Sequence, residues 1–464
     1  VEKADELLKN AESVKVSEID DEQCLAVVGK LLACPNLKQL DFSTNKKLDS
    51  LTILKAIEMV SQTRKYRGLA PCEMNFATFD LQSMIDEARK GIDLPEDWSA
   101  VNEPWYAPLV VLTDHLRANR ANLAGNEASS RMELVMRVKL ELSLAKYKKD
   151  NPQVLSVPIE KPVFILGLFR SGTSLLFNLL STDKAVRSPR LWELWNPLPP
   201  PKEETYETDE RIAQTQGILD HLFSSSLKGF EKIHFMKSDW PEECSHILRH
   251  LFVLGELSYS NCAPSYNDWL SQQSFETIFK AHKEFLQVLS SEFAPKSHWL
   301  LKCPYHMWNI PELLQVYPDA RFVWCHRDPT ESIASGMSLF SFVASKTFKN
   351  FDQVQEGPRM SEKLVDGLLK MTDHCTSGLI DPSNIVHVQY KDLVTKPLEA
   401  VRQVYTHLGL PLTEATEQAA QAFLDANPKG KHGQHAYNLS EYGVSQDELS
   451  AKLVPYFSAP FLQQ

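Results

Sequence analysis

The 464-residue sequence predicts an α/β protein: a three-layer α/β/α sandwich with a central parallel sheet, a helical N-terminal region and helical insertions. Three observations lead there. Short apolar runs at 162–166, 299–302, 321–325 and 384–388 have the length and Val/Ile/Phe/Trp content of buried strands. Helical patterns separate these runs, and strands alternating with helices indicate a parallel sheet wrapped by helices. The first run leads into Gly167-Leu168-Phe169-Arg170-Ser171-Gly172-Thr173-Ser174-Leu175-Leu176. That is a glycine-bracketed turn opening an apolar helix, which makes the fold P-loop-type, with backbone N–H groups and a helix N-terminus facing an anion.

Along the chain, residues 1–75 are polar and read as a helical extension of unreadable role. Leu37-Lys38-Gln39-Leu40-Asp41-Phe42-Ser43-Thr44-Asn45 has the form of one leucine-rich repeat unit; one unit cannot stack, and no second is visible. Leu48-Asp49-Ser50-Leu51 resembles the serine motif of acyl carrier proteins, although Ser50 as a helix N-cap explains it more simply. Residues 76–155 read as helices at 80–90, 105–122 and 131–148 packed on a core domain of residues 156–464. Met132, Val135, Met136, Val138, Leu140, Leu142 and Ala145 give the third helix a buried face, and Asp150-Asn151-Pro152 ends it. The stretch 196–298 is mostly helical and interrupts the α/β core; its prolines at 197, 199, 200 and 201 mark an irregular loop suited to acceptor recognition.

Bulk properties narrow the function. A hydrophobic content of 43% with 23% charged residues is that of a globular protein. The net charge of −11 argues against nucleic acid as a partner, so an anionic ligand needs a local basic pocket. No apolar run approaches the roughly 20 residues of a membrane span. Val1-Glu2-Lys3-Ala4-Asp5-Glu6 contains no signal-peptide hydrophobic region, so a cytoplasmic location is expected, with a removed leader left open. The eight cysteines are scattered without a C-x-x-C pair and read as mostly free thiols. Cys244-Ser245-His246 and Cys325-His326 lack the spacing of a closed zinc site, so no metal is expected.

The glycine loop departs from a nucleoside-triphosphatase loop in one respect. Thr173 stands where G-x-x-x-x-G-K-[ST] requires lysine, and the cation is Arg170 instead. Further on, Arg327 closes a strand and Ser335 follows eight residues later, inside a helix. Ligands of open α/β sheets gather at such strand ends, and an Arg fork with a hydroxyl can hold a phosphate from two sides.

These segments resemble the PAPS-dependent sulfotransferases, which carry [K/R]-S-G-T-[ST] in the loop and an Arg and Ser at this same spacing. The form G-x-x-R-S-G-T-[ST]-L-L is close to a branch related to the tyrosylprotein sulfotransferases; Phe169 replaces a proline common there. The likeness extends over about 385 residues, from residue 76 onward. It implies PAPS as sulfuryl donor and PAP as product, held by Arg170, Ser171, Gly172, Thr173, Ser174, Leu175, Arg327 and Ser335. It also implies a closing loop with Lys429, Gly430 and Lys431. No metal is required, because the moving SO₃ carries less charge than a γ-phosphate.

The expected activity is in-line transfer to an acceptor, a hydroxyl of a small molecule or carbohydrate. Arg170 and Lys302 would neutralise charge at the bridging oxygen and the sulfuryl. The base is open between Glu193, flanked by Trp192 and Trp195, and His306. Asp239 and Glu242, in Asp239-Trp240-Pro241-Glu242-Glu243, belong to acceptor binding or pocket structure. The aromatics Trp192, Trp195, Trp240, Tyr259, Tyr266 and Trp269 could stack on an acceptor or simply fill the core. A P-loop kinase or NTPase, and a non-catalytic scaffold keeping the fold, are the alternatives.

Overall fold

A computed structural model describes the chain apart from residues 1–12, 17–20, 32–33, 35–36, 38, 43–47, 49–51, 53–54, 57–58, 61–72, 77–78, 96–97, 124–126, 255–263, 428–437 and 463–464. The chain forms two compact units, Val1–Lys146 and Tyr147–Gln464.

The first unit adds strands to the helices expected there. β1 (Ser13–Lys15), β2 (Gln39–Phe42) and β3 (Glu73–Phe76) form a parallel sheet in that order. Leu40 is in register with Val14 on one side and Met74 on the other. Residues 39–42 of the repeat-like segment therefore do have neighbours. They escape the sequence reading because three- and four-residue strands are too short to show a period. Helix α1 (Asp21–Leu31) buries Cys24, Val28 and Leu31 with Leu37, Leu40 and Phe42. The helices α2 (Leu81–Arg89), α3 (Tyr106–Ala118) and α4 (Glu127–Asp150) match the expected helical run. Ser50 lies outside the described residues.

The second unit is built on β4 (Val163–Leu166), β5 (Leu300–Lys302), β6 (Arg321–His326) and β7 (Ile385–Gln389), all parallel in the order β5-β4-β6-β7. Successive strand side chains point to opposite faces. On one face Val163, Ile165, Leu300, Val323, Cys325, Val386 and Val388 pack on α5 (Thr173–Leu180) and on helices near the C-terminus. On the other, Phe164 meets Phe322 and Tyr317, with His282 of the helix Glu276–Ser290 alongside. With both faces covered, the strands read as continuous apolar runs instead of alternating ones, which is why they stood out. The architecture is the expected α/β/α sandwich.

Three connections shape one end of the sheet. β4 runs through the glycine loop into α5; β5 ends at Lys302 and turns through the 3₁₀ segment Pro304–Trp308. β6 runs into α6 (Pro329–Thr347), capped by Asp328, whose carboxylate accepts the Thr330 N–H at 2.8 Å. Pro329 at the first turn suits that start, since its missing N–H would have no helical partner. The sheet's carboxyl edge thus carries Gly167, Lys302 and Arg327 on neighbouring strands.

Candidate active site at the carboxyl edge of the sheet

The glycine loop owes its path to two positions. Gly167 has φ 144°, and a Cβ there would lie 2.8 Å from the Cys325 carbonyl oxygen. Gly172, at φ 93°, caps α5; a Cβ there would meet Leu393 at 2.8 Å and Tyr390 at 3.1 Å. Between them Arg170 takes a left-handed conformation at φ 64° with its side chain exposed. Ser171 is buried and its hydroxyl donates to the Leu168 carbonyl at 2.6 Å, closing the turn. Ser174 stays exposed at the start of α5.

Lys302 arrives beside this loop because β5 pairs directly with β4, with Lys302 opposite Ile165. Its ammonium is 2% exposed, donates to Ser174 Oγ at 3.1 Å and pairs with Glu243 Oε1 at 2.7 Å. Burial lowers its pKa, but the carboxylates of Glu243 and Glu242 outweigh that and hold it above the ordinary lysine value. Backbone contacts put those carboxylates there: Glu242 N–H donates to Pro189 O at 2.9 Å and Cys244 N–H to Lys302 O at 3.0 Å. Glu242 in turn holds His234, with Nε2 3.1 Å from Oε1. Burial pulls the His234 pKa down, yet Glu242 and Glu243 raise it above 6.5 against the opposing charge of Lys302. The imidazole is partly exposed, with Phe230 beside it and Phe235 stacked edge-on to Trp240.

On the neighbouring strand, Arg327 Nη1 donates to the Arg170 carbonyl oxygen at 2.9 Å. Its guanidinium also pairs with Glu331 at 2.5 Å and lies over the Tyr390 ring, 4.5 Å from the centroid. Tyr390 is also what a Gly172 side chain would strike, so the loop and Arg327 close on one tyrosine. Ser335, on α6, is 3% exposed and its hydroxyl has no hydrogen-bond partner among the described residues. A buried hydroxyl without a partner is costly, and Ser332 and Ser341 on the same helix share that state among the described residues.

The two candidate bases sit elsewhere. Glu193, fully buried on the short helix Leu191–Trp195, pairs with Arg187 Nη2 at 2.5 Å. Its other oxygen accepts the Arg190 N–H at 2.9 Å and the Tyr206 hydroxyl at 2.7 Å. Arg187 itself bonds the Leu289 carbonyl and lies over the Phe293 and Trp299 rings. Both carboxylate oxygens are engaged, so this fully buried group anchors a buried arginine. His306 is fully buried among Phe164, Phe279 and His282, and that burial pushes its pKa well below 6.5. Neither side chain is exposed in this geometry. His234 carried no motif that could have singled it out, although its partner Glu242 lies in the acidic cluster already noted.

The tempting metal pairs dissolve: His246 accepts from Trp195 Nε1 at 3.1 Å, and His326 bonds Tyr456 and His387 at 2.9 and 2.8 Å. Of the candidate stacking residues, Trp192 and Tyr266 are fully buried core, and Trp240 is half-buried. Lys429, Gly430, Lys431 and Tyr259 lie outside the described residues. Among the described residues, no helix is long and apolar enough to cross a membrane.

Residues 162–414, more than half of the chain, match the sulfotransferase family, and the chain belongs to it. It is 25% identical over 267 residues to the omega-hydroxy-beta-dihydromenaquinone-9 sulfotransferase Stf3 of Mycobacterium bovis, a match covering 55% of this chain. The same match spans 64% of that relative, less than two thirds of its length. Among solved structures, sulfotransferase STF9 of Mycobacterium avium superposes with a TM-score of 0.73 at 26% identity, covering 81% of this chain and 95% of that one. Sulfotransferase STF1 of Mycobacterium tuberculosis H37Rv gives 0.68 at 27% identity, covering 80% and 97%.

Proposed function

We propose that this protein transfers the sulfuryl group of PAPS to a hydroxyl of a small-molecule acceptor. The observation that carries this reading is the contact between the glycine loop and the end of β6. Arg327 donates to the carbonyl of loop residue Arg170, and the unpartnered Ser335 hydroxyl is buried on the helix that follows Arg327. Two anion cradles meeting there would suit a nucleotide phosphorylated at both ends. The loop N–H groups of residues 171–175 and the Arg170 side chain would hold the 5′ side; Arg327 and Ser335 would hold the 3′-phosphate. Lys429, Gly430 and Lys431 remain the proposed closing loop.

Lys302 is the cation for the reacting group: it is already bound to Ser174 at the start of α5, and one of its N–H donors remains for an incoming oxyanion. The base passes to His234, whose partner Glu242 orients the ring and stabilises its protonated form. As the acceptor oxygen bonds to sulfur and the bond from sulfur to the nucleotide breaks, the acceptor's proton goes to His234. The name of the Mycobacterium bovis relative describes an omega-hydroxyl on a menaquinone derivative, and here Phe230 lies beside His234 while Phe235 meets Trp240. Both support an apolar alcohol over a sugar.

Calorimetric titration with PAP, AMP and Mg-ATP, using wild type and Arg327→Ala, tests the reading. Tight binding of PAP alone, lost in the variant, is the expected result. A preference for Mg-ATP would overturn it in favour of a kinase or NTPase, and binding of none would favour a scaffold.

A further inference from the structure

Behind Lys302, on the face of the sheet away from α5, three side chains from distant parts of the sequence converge. Cys244 precedes the short helix Ser245–His250, His282 lies on Glu276–Ser290, and His306 lies in the turn after β5. All three are fully buried, and one potential ligand atom from each lies within 4.8 Å of the others. Their polar atoms are conspicuously unserved: His282 Nε2 and both ring nitrogens of His306 have no hydrogen-bond partner among the described residues. Three orphaned nitrogens in an aromatic shell of Phe164, Phe279 and Tyr317 run against the rule that buried polar groups find partners. Meanwhile the other nitrogen of His282, Nδ1, is 2.7 Å from the Tyr317 hydroxyl. Metal-bound imidazoles are held in this way, with one nitrogen oriented by a hydrogen bond and the other left for the ion.

We propose that Cys244 Sγ, His282 Nε2 and one ring nitrogen of His306 form a binding site for a single thiophilic d¹⁰ metal ion. Around an ion with metal–sulfur and metal–nitrogen bonds of about 2.3 and 2.0 Å, ligand atoms stand roughly 3.3–3.8 Å apart, so from separations within 4.8 Å closure takes a shift of about 1.5 Å at most. A thiolate with two imidazoles selects Cu⁺ or Zn²⁺ over hard cations. Charge separates the two. Cu⁺ with one thiolate and two neutral imidazoles is uncharged overall, whereas Zn²⁺ leaves a net positive charge in an apolar interior, which is unfavourable without a counter-ion. Cu⁺ also accepts three ligands, whereas structural zinc takes four. On binding, the sulfur–metal bond replaces the S–H bond and the proton leaves to solvent.

Such an ion would staple three segments directly behind the Lys302 backbone, since the Cys244 N–H already bonds the Lys302 carbonyl. It is a structural clamp, and its presence is read without any substrate.

The test uses the full chain, unfolded and refolded anaerobically with excess Cu⁺ or Zn²⁺ and then desalted, with metal per chain measured by mass spectrometry. Competition with a Cu⁺ or Zn²⁺ chelator gives the affinity of each. The expected result is one equivalent of Cu⁺ per chain, a higher Tm, and affinity at least about 100-fold weaker in Cys244→Ser than in Cys375→Ser, whose thiol lies outside the cluster. One equivalent of Zn²⁺ lost in the same variant keeps the site and changes the ion. Should Cys244→Ser fail to fold, His306→Phe, which keeps an aromatic ring in the niche, makes the same comparison. Metal uptake below one-tenth equivalent in refolded wild type, or uptake that survives the variants, overturns the site. PAP binding is measured on the same samples, so failure of the metal site is distinguishable from failure of the sulfotransferase reading.

Discussion

At the scale of single residues, surroundings separate a carboxylate that anchors a buried arginine, Glu193, from one that holds a partly exposed imidazole, Glu242. Replacing Glu193 by Gln leaves the Arg187 guanidinium buried without its counter-charge, and breaking a buried pair in this way costs about 3–5 kcal/mol. Chemical denaturation of Glu193→Gln should show that loss; near-normal stability with turnover abolished would instead restore Glu193 as the base. His234→Asn should lower kcat by about 10²–10⁴-fold, the range for losing a general base. Because Glu242 holds the His234 pKa above 6.5, wild-type kcat should rise with pH through that raised value, and the limb should vanish in His234→Asn. A variant that keeps both its rate and its pH limb would remove His234 from the reaction.

At the scale of elements, the loop and the helices that follow the strands carry the site. A Cβ at Gly167 would meet the rigid Cys325 carbonyl and would also sit on backbone that side chains rarely adopt, so Gly167→Ala should displace the loop. The expected outcome is a cost of about 1–3 kcal/mol with PAP affinity falling more than tenfold, read by thermal unfolding and calorimetry on the same protein. Asp328→Ala removes the cap of the helix bearing Ser335 and should cost about 0.5–2 kcal/mol, weakening PAP binding without changing the reaction's pH profile. These elements were readable in advance because their determinants are local: glycines flank the turn, Pro329 starts the helix, and the strands are unbroken apolar runs. What escaped was non-local. Glu193 looked like a desolvated base between indoles because nothing in the chain announces that Arg187 lies over Trp299, more than a hundred residues on. Glu242 and Lys302 are likewise brought together by contacts distant in sequence, Glu242 N–H to Pro189 O and Cys244 N–H to Lys302 O. The short strands of the first unit were missed for the opposite reason: they are local but too brief to carry a period.

For the whole molecule, the His234–Glu242 pair ties stability to pH. Burial raises the Glu242 pKa, but His234 and Lys302 more than reverse this and hold it at about 2, below the usual 4.5. Its contribution is therefore complete above pH 4.5 and is lost as pH falls through about 2. His234 is raised, so its contribution is complete below pH 6.5 and fades as pH rises through the elevated value. The stability difference between wild type and Glu242→Gln should thus be largest between pH 4.5 and 6.5 and shrink on both sides, as denaturation across a pH series will read. A difference that is flat across the series would mean that the pair does not persist in solution.

The hydrogen bond from Arg327 to the Arg170 carbonyl would also make the two proposed anion cradles thermodynamic neighbours. Whatever orders one half changes the free energy of filling the other, and that coupling is the same read from either end. A nucleotide with both phosphates would then bind more tightly than its separate fragments suggest, and a monophosphate would lose the cross-term as well as its missing contact. Selectivity for the donor over simpler nucleotides would thus reside in a shared backbone oxygen that no ligand touches.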